Sequence, residues 1–202
     1  MKRVIFALGL LGLLVVGACG KTDDSPEELS GRLVHMQVPD SPEGARSMGC
    51  TLVGHHVGSS LGSLLSLSGG IERFYQLDDY DEVRIIILAQ TDGWEKRNNK
   101  PFTINLYEGL QNEAKDFQLP LEETEIGGRF DGISLDEDGW FSVGSTEVKL
   151  PVPILDDWVV YPTIHNVALE GKFIEEDGGL KTEQVLLTGY LTSDDIMFLV
   201  ER

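Results

Sequence analysis

Gly58-Ser59-Ser60-Leu61-Gly62 fits the G-x-S-x-G string of a nucleophile elbow, which projects a serine from a sharp strand-to-helix turn. Asp156, Asp157 and His165 come later, in the order serine, acid, histidine, which makes Ser60 the nucleophile of a candidate serine hydrolase. That elbow needs parallel strands alternating with helices downstream, and the sequence after Val83 does not supply them. The same string also serves as a helix start with a serine cap. His55-His56 is the one histidine pair. Adjacent residues on a strand face opposite ways, so the pair cannot grip one metal ion there, and Cys50 does not complete the four-ligand spacing of structural zinc. In RFDGISLDEDGW, Ser134, Asp136, Asp138 and Gly139 take positions 1, 3, 5 and 6 of an EF-hand loop, but position 12 is Ser145 instead of a bidentate glutamate. A looser calcium site could use Asp131, Asp136, Glu137 and Asp138, or Asp78, Asp79, Asp81 and Glu82, whose oxygens are suitably hard. The simpler reading is solvated turn acids, because turns recruit Asp and Gly in any case. Trp94, Trp140 and Trp158 each sit beside Gly or Asp. Exposed, such indoles would stack on sugar rings; buried, they pack the core or its rim. No catalytic, metal or cofactor residue is assigned.

The elements that would position these groups are mostly short strands. RLVHMQV (32–38) alternates and reads as a first strand, followed by a loop over PDSPEGARSMG. Leu61, Leu64 and Leu65 share a helical face, with Ser59 or Ser60 as N-cap and Gly69-Gly70 as the stop. Ile71, Phe74, Tyr75 and Asp78 repeat that spacing, so one or two short helices are expected within 59–78. VRIIILAQ (83–90) is continuously apolar and reads as a buried strand. PFTINLYEG (101–109), WFSVG (140–144), TEVKLPVPI (146–154), NVALEGKFI (166–174) and QVLLTGYLT (184–192) follow, with EEDGG as a turn. SDDIMFLVER offers a Ser193 cap and a terminal helical turn. This order predicts a mainly β fold, an antiparallel β-sandwich or jelly roll.

The chain start is of another kind. Met1-Lys2-Arg3 is positive, Val4 to Val16 is uncharged and apolar, and Val16-Gly17-Ala18 are small residues before Cys19. Those are the parts of a secretory leader, with an apolar run too short to span a bilayer. Val16-Gly17-Ala18-Cys19 resembles the lipobox of bacterial lipoproteins, with Val where Leu is commoner. The resemblance implies diacylation of the Cys19 thiol, cleavage before Cys19, and acylation of the new amino terminus. Gly20 stands where Asp would signal inner-membrane retention, which implies the outer membrane of a Gram-negative bacterium. The expected organisation is a signal peptide over 1–18, lipidated Cys19 and a flexible tether over 19–31, and one β-rich domain over 32–202. The body loosely resembles uncharacterised β-rich bacterial lipoproteins, and no activity follows from that.

Removing residues 1–18 takes Lys2 and Arg3 and no acid, leaving 14 basic against 34 acidic groups, a formal charge of −20. Such a chain lacks the basic stripe that nucleic acid requires, and anionic headgroups repel it. With Cys19 carrying lipid, Cys50 has no partner within the chain and reads as a buried thiol. The functional expectation is a non-catalytic binding or scaffold module of the cell envelope. It would meet the membrane through the Cys19 lipid and take a glycan or an envelope protein as partner, with the Ser60 hydrolase as the alternative.

Overall fold

The computed structural model describes residues 4–8, 14–16, 30–33, 38, 43, 74–78, 80, 82–95, 100–119, 127–155, 158–176, 179–192 and 194–195. These residues form thirteen strands: β1 (Val4–Leu8), β2 (Leu14–Val16), β3 (Ser30–Leu33), β4 (Ile87–Asp92), β5 (Phe102–Glu108), β6 (Leu110–Gln111), β7 (Phe117–Gln118), β8 (Gly128–Ile133), β9 (Trp140–Lys149), β10 (Val152–Leu155), β11 (Trp158–Val160), β12 (Thr163–Glu176) and β13 (Gly179–Leu191). The fold is mainly β and antiparallel, as the alternation predicts.

Among the described residues the main sheet runs β8-β5-β4-β3-β2-β13-β12-β9, with β1 paired to β13. It folds over on itself like a sandwich, because one core draws on both halves. Leu33, Ile87, Ile104, Phe130 and Ile133 come from one half, and Phe141, Val148, Val167, Leu169, Phe173, Val185 and Leu187 from the other. The cause lies in the period-2 pattern: Val167, Leu169 and Phe173 point inward, while Glu170 and Ile174 face out. A cavity of about 50 Å³ remains between the halves, with Leu33, Ile104, Phe141, Phe173 and Leu187 among its lining. It is smaller than an apolar cavity of about 150 Å³ that takes up benzene.

Several expectations change. Residues 59–73 of the expected helices lie outside the described residues. Residues 74–78 are a turn and not a helix. The reason is that Phe74 and Tyr75 plug the core while Asp78 closes a turn: its Oδ1 accepts from the backbone N–H of Tyr80 at 2.8 Å and Glu82 at 2.9 Å. The strand in VRIIILAQ begins only at Ile87. Val83, Ile86 and Leu88 pack instead with Tyr107 and Phe117 as a second, smaller cluster. WFSVG and TEVKLPVPI are not separate strands at Gly144; β9 runs through both and stops before Pro151, which has no N–H for the ladder. Arg32 and Leu33 do lie in a first body strand, β3, but residues 34–37 of the expected run are outside the described set. Strands β1 and β2 fall within the expected leader: β1 lies along Leu187–Leu191, and β2 sits between β13 and β3.

Candidate functional site

Two polar assemblies stand out, both on β12 and its neighbours. The first is built by a bulge. His165 pairs with Tyr190 and Ala168 with Thr188, so two β12 residues stand opposite one on β13. The register with β9 shifts at the same place, between Ile164 and Val167. Asn166 supplies the extra residue at a φ of 51°, a left-handed conformation that Asn tolerates better than most side chains. Alternation breaks there. Ile164 and Val167 are both buried, Asn166 is exposed, and His165 is left at the boundary with its side chain 24% exposed. Gly189 faces the bulge, where a Cβ would lie 2.5 Å from Ile164 Cγ2.

Thus aimed, the His165 ring stacks on Tyr190 with centroids 5.5 Å apart. Its Nδ1 lies 2.8 Å from Glu147 Oε1 on β9, and its Nε2 lies 3.2 Å from Asp195 Oδ2. The Asp195 carboxylate is itself part of a capping box. It accepts from the Thr192 N–H at 2.8 Å and from the Thr192 hydroxyl, while the Asp195 N–H donates back to Thr192 Oγ1 at 3.2 Å. The terminal helical turn is therefore present at 194–195, with Thr192 as its N-cap. Ser193, the cap expected from sequence, lies outside the described residues. The hydrogen bond to Glu147 raises the His165 pKa, burial lowers it, and the charge and hydrogen bond of Asp195 raise it; the net shift is upward. Burial pushes Asp195 up, but the Thr192 bonds and His165 outweigh it, and its carboxyl ends below the ordinary value. Chemically this is an ion-bridging group. A general base needs a free ring nitrogen aimed at a substrate proton, and both nitrogens of His165 face carboxylates.

The second assembly is on the outer face of β9 and β12. Trp140, 49% exposed, pairs across the strands with Lys172, whose Nζ lies 5.9 Å from the ring centroid. In the next outward row Ser142 Oγ donates to Glu170 Oε1 at 3.3 Å. Trp94 is buried, and Trp158 packs against the core, so Trp140 is the one exposed tryptophan among the described residues.

The acidic residues mostly serve turns and strands. Asp136 Oδ1 accepts from the N–H of Asp138 at 2.9 Å and of Trp140 at 2.8 Å, closing the turn between β8 and β9. Asp131 accepts from Thr103 Oγ1 at 2.8 Å and from Arg129 Nε at 2.9 Å. The Asp78 carboxyl is held below its ordinary pKa by the backbone bonds from Glu82 and Tyr80. Among the described residues no group of three or more His, Cys, Asp or Glu is arranged to hold a metal ion. Cys19, Cys50, His55, His56, Ser60, Asp79, Asp81, Asp156 and Asp157 lie outside the described residues.

The sequence singled out His165 only as the last member of a hydrolase order. Its partners are 18 and 30 residues away, and no local motif joins them. The one readable signal was the T-x-x-D spacing of Thr192 and Asp195. No family model matches this chain, and neither does any curated protein or solved structure.

Proposed function

We propose that the protein is a lipid-anchored envelope lipoprotein, held through Cys19 in the outer membrane of a Gram-negative bacterium, with a β body that acts as a non-catalytic binding or scaffold module. The observation that carries this reading is the order of residues 1–24: positive start, apolar run, Val16-Gly17-Ala18-Cys19, then a polar tether. One acyl chain gives marginal membrane binding, at about 0.8 kcal/mol per buried CH₂, whereas several chains on one residue hold a protein durably. The formal charge of −20 would not retain the body at an anionic surface, so the lipid is the anchor. On the non-catalytic side, support comes from His165, whose ring nitrogens are both committed to carboxylates. Trp140, with Lys172 and Glu170 beside it, is the face on which such a module would meet a glycan: an aromatic plane for the sugar C–H face, and charged groups for its hydroxyls.

Mass spectrometry of the mature protein tests the anchor. The expected N-terminal peptide begins at Cys19 and carries acyl mass, and Cys19→Ser abolishes both lipidation and detergent partitioning. An unmodified Cys19, or a mature terminus elsewhere, overturns it. A glycan array probed with the detergent-solubilised protein tests the module, with Trp140→Ala expected to abolish binding. Labelling of Ser60 by a serine-directed covalent probe, lost in Ser60→Ala, would replace the module with the hydrolase.

A further inference from the structure

We propose that the Thr192–Asp195 turn is held by a pH-sensitive latch, in which protonated His165 bridges Glu147 of β9 and Asp195, and that the turn is released when His165 loses its proton. The inference stands on the bridge geometry and is independent of the anchor reading. Both ring nitrogens face carboxylate oxygens, at 2.8 Å and 3.2 Å. Only the imidazolium can donate from both nitrogens; the neutral ring donates from one and presents a lone pair at the other. Loss of one proton therefore removes one link and sets a lone pair against a carboxylate. The Asp195 contact is the one given up. It is the longer of the two, and Asp195 keeps the Thr192 N–H and hydroxyl as donors, so its carboxylate can leave the ring without being stranded.

Among the described residues the groups around the bridge are mostly carboxylates, with Lys149 the one cation nearby. From β9 the facing groups are Glu147 and, near the strand end opposite Thr163, Lys149. From β13 it is Tyr190, stacked on the ring. The turn itself brings Asp194 and Asp195, and β1, which pairs Ile5 with Tyr190, has no titratable side chain in Val4–Leu8. On β12 the nearest ionisable residue beyond His165 is Glu170.

The pKa shifts give the sign. His165 is raised in the fold, so its contribution is complete below the unfolded value of about 6.5 and is lost as pH rises through the raised one. Asp195 is lowered, so its share is complete above its ordinary value of 3.8 and is lost as pH falls through the lower one. The latch is thus closed below the ordinary imidazole value and opens as pH rises through the raised one.

Hydrogen exchange read by mass spectrometry on the full-length, detergent-solubilised protein tests this, with rates corrected for intrinsic pH dependence. In peptides spanning 187–195, protection should fall by about tenfold between mild acid and mild alkali, with a midpoint matching the NMR titration of the His165 ring. Glu147→Gln, a change at an exposed side chain, should move both midpoints to lower pH. His165→Gln should give pH-independent protection. Flat protection in the wild type, an equal fall in His165→Gln, or midpoints unmoved by Glu147→Gln would each overturn the latch. If His165→Gln does not fold, the Glu147→Gln midpoint decides alone.

Discussion

Asn166 sits at a φ of 51° near the start of the longest described strand, β12. A left-handed conformation costs an ordinary L-residue about 1–2 kcal/mol, and a β-branched one more. Asn166→Val should therefore lower stability by about 1–2 kcal/mol, and Asn166→Gly should leave it close to wild type. Urea melts read this as a shift in midpoint with an unchanged slope. Because the bulge aims His165, Asn166→Val should also lower the His165 pKa in an NMR titration, by moving the ring off Glu147. At this scale the sequence was only half legible. Asn166 and His165 stand side by side in it, but nothing local says that the alternation breaks there. The break is set by the pairing of β12 with two neighbours at once, and pairing partners are not written into either strand. The Thr192–Asp195 capping box is a purely local arrangement, yet the sequence read alone puts the cap one residue later, at Ser193.

The turn between β8 and β9 shows how an element is fixed by a few atoms. Gly139 has a φ of 84°, and a Cβ there would lie 2.4 Å from the Phe173 carbonyl oxygen. That oxygen belongs to β12, and the Phe173 N–H donates to the Gly139 carbonyl at 2.9 Å, so the turn is tied to the sheet. Gly139→Ala should cost about 1–3 kcal/mol in backbone strain alone, before the clash, measurable as a lower denaturant midpoint. Asp136→Ala, which strips two exposed N–H groups of their acceptor, should cost about 0.5–1.5 kcal/mol, because water replaces the lost oxygen. At this scale β12 and β13 were legible because Val167, Leu169 and Phe173, and Val185, Leu187 and Leu191, keep the period of two, and β5 because Phe102, Ile104 and Leu106 alternate with polar residues or Tyr in the sequence. Strand β8 was not: in GRFDGI the buried positions are Gly128, Phe130 and Ile133, so the alternation fails after Asp131. Strand β11 is three residues long and gives no period to detect.

Over the whole molecule, charge dominates. The formal charge of −18 is not balanced by strong pairs among the described residues. The described Lys and Arg bridges, Lys100–Glu95, Lys115–Glu82 and Arg129–Asp131, are on the surface, where a pair is worth about 0–1 kcal/mol. Self-repulsion should therefore outweigh attraction. Raising ionic strength from about 0.01 M to about 0.15 M shortens the screening length from about 30 Å to about 8 Å and should raise Tm by a few degrees. A fall in Tm would mean that attractive pairs dominate instead. The described core begins at Leu33 and ends at Leu191. The fragment 20–202, lacking β1 and β2, should accordingly give a β-type far-ultraviolet spectrum and one cooperative melt. Loss of cooperativity would make the leader strands part of the fold.

Ser30, read from sequence as part of the tether, is the first residue of strand β3. In the lipoprotein proposed above, that point would stand at most about 40 Å from the Cys19 lipid, eleven residues away, because an extended chain spans about 3.6 Å per residue. Any force between membrane and partner would enter the body there. With β2 removed, as the proposed cleavage before Cys19 would do, β3 would be held on one side by three pairs: Ser30 with Gln90, Gly31 with Ala89 and Arg32 with Leu88. A pull along the axis of β3 loads those pairs together, in shear. A pull across it peels them one after another, beginning at Ser30. Behind them Arg32 is wedged over the Phe117 ring at 4.3 Å and donates to the Tyr75 carbonyl at 3.4 Å, so the guanidinium is the strand's stop against being drawn out. Attached through this strand, the body would resist a load along β3 better than one directed sideways, so the direction of attachment would set its mechanical strength.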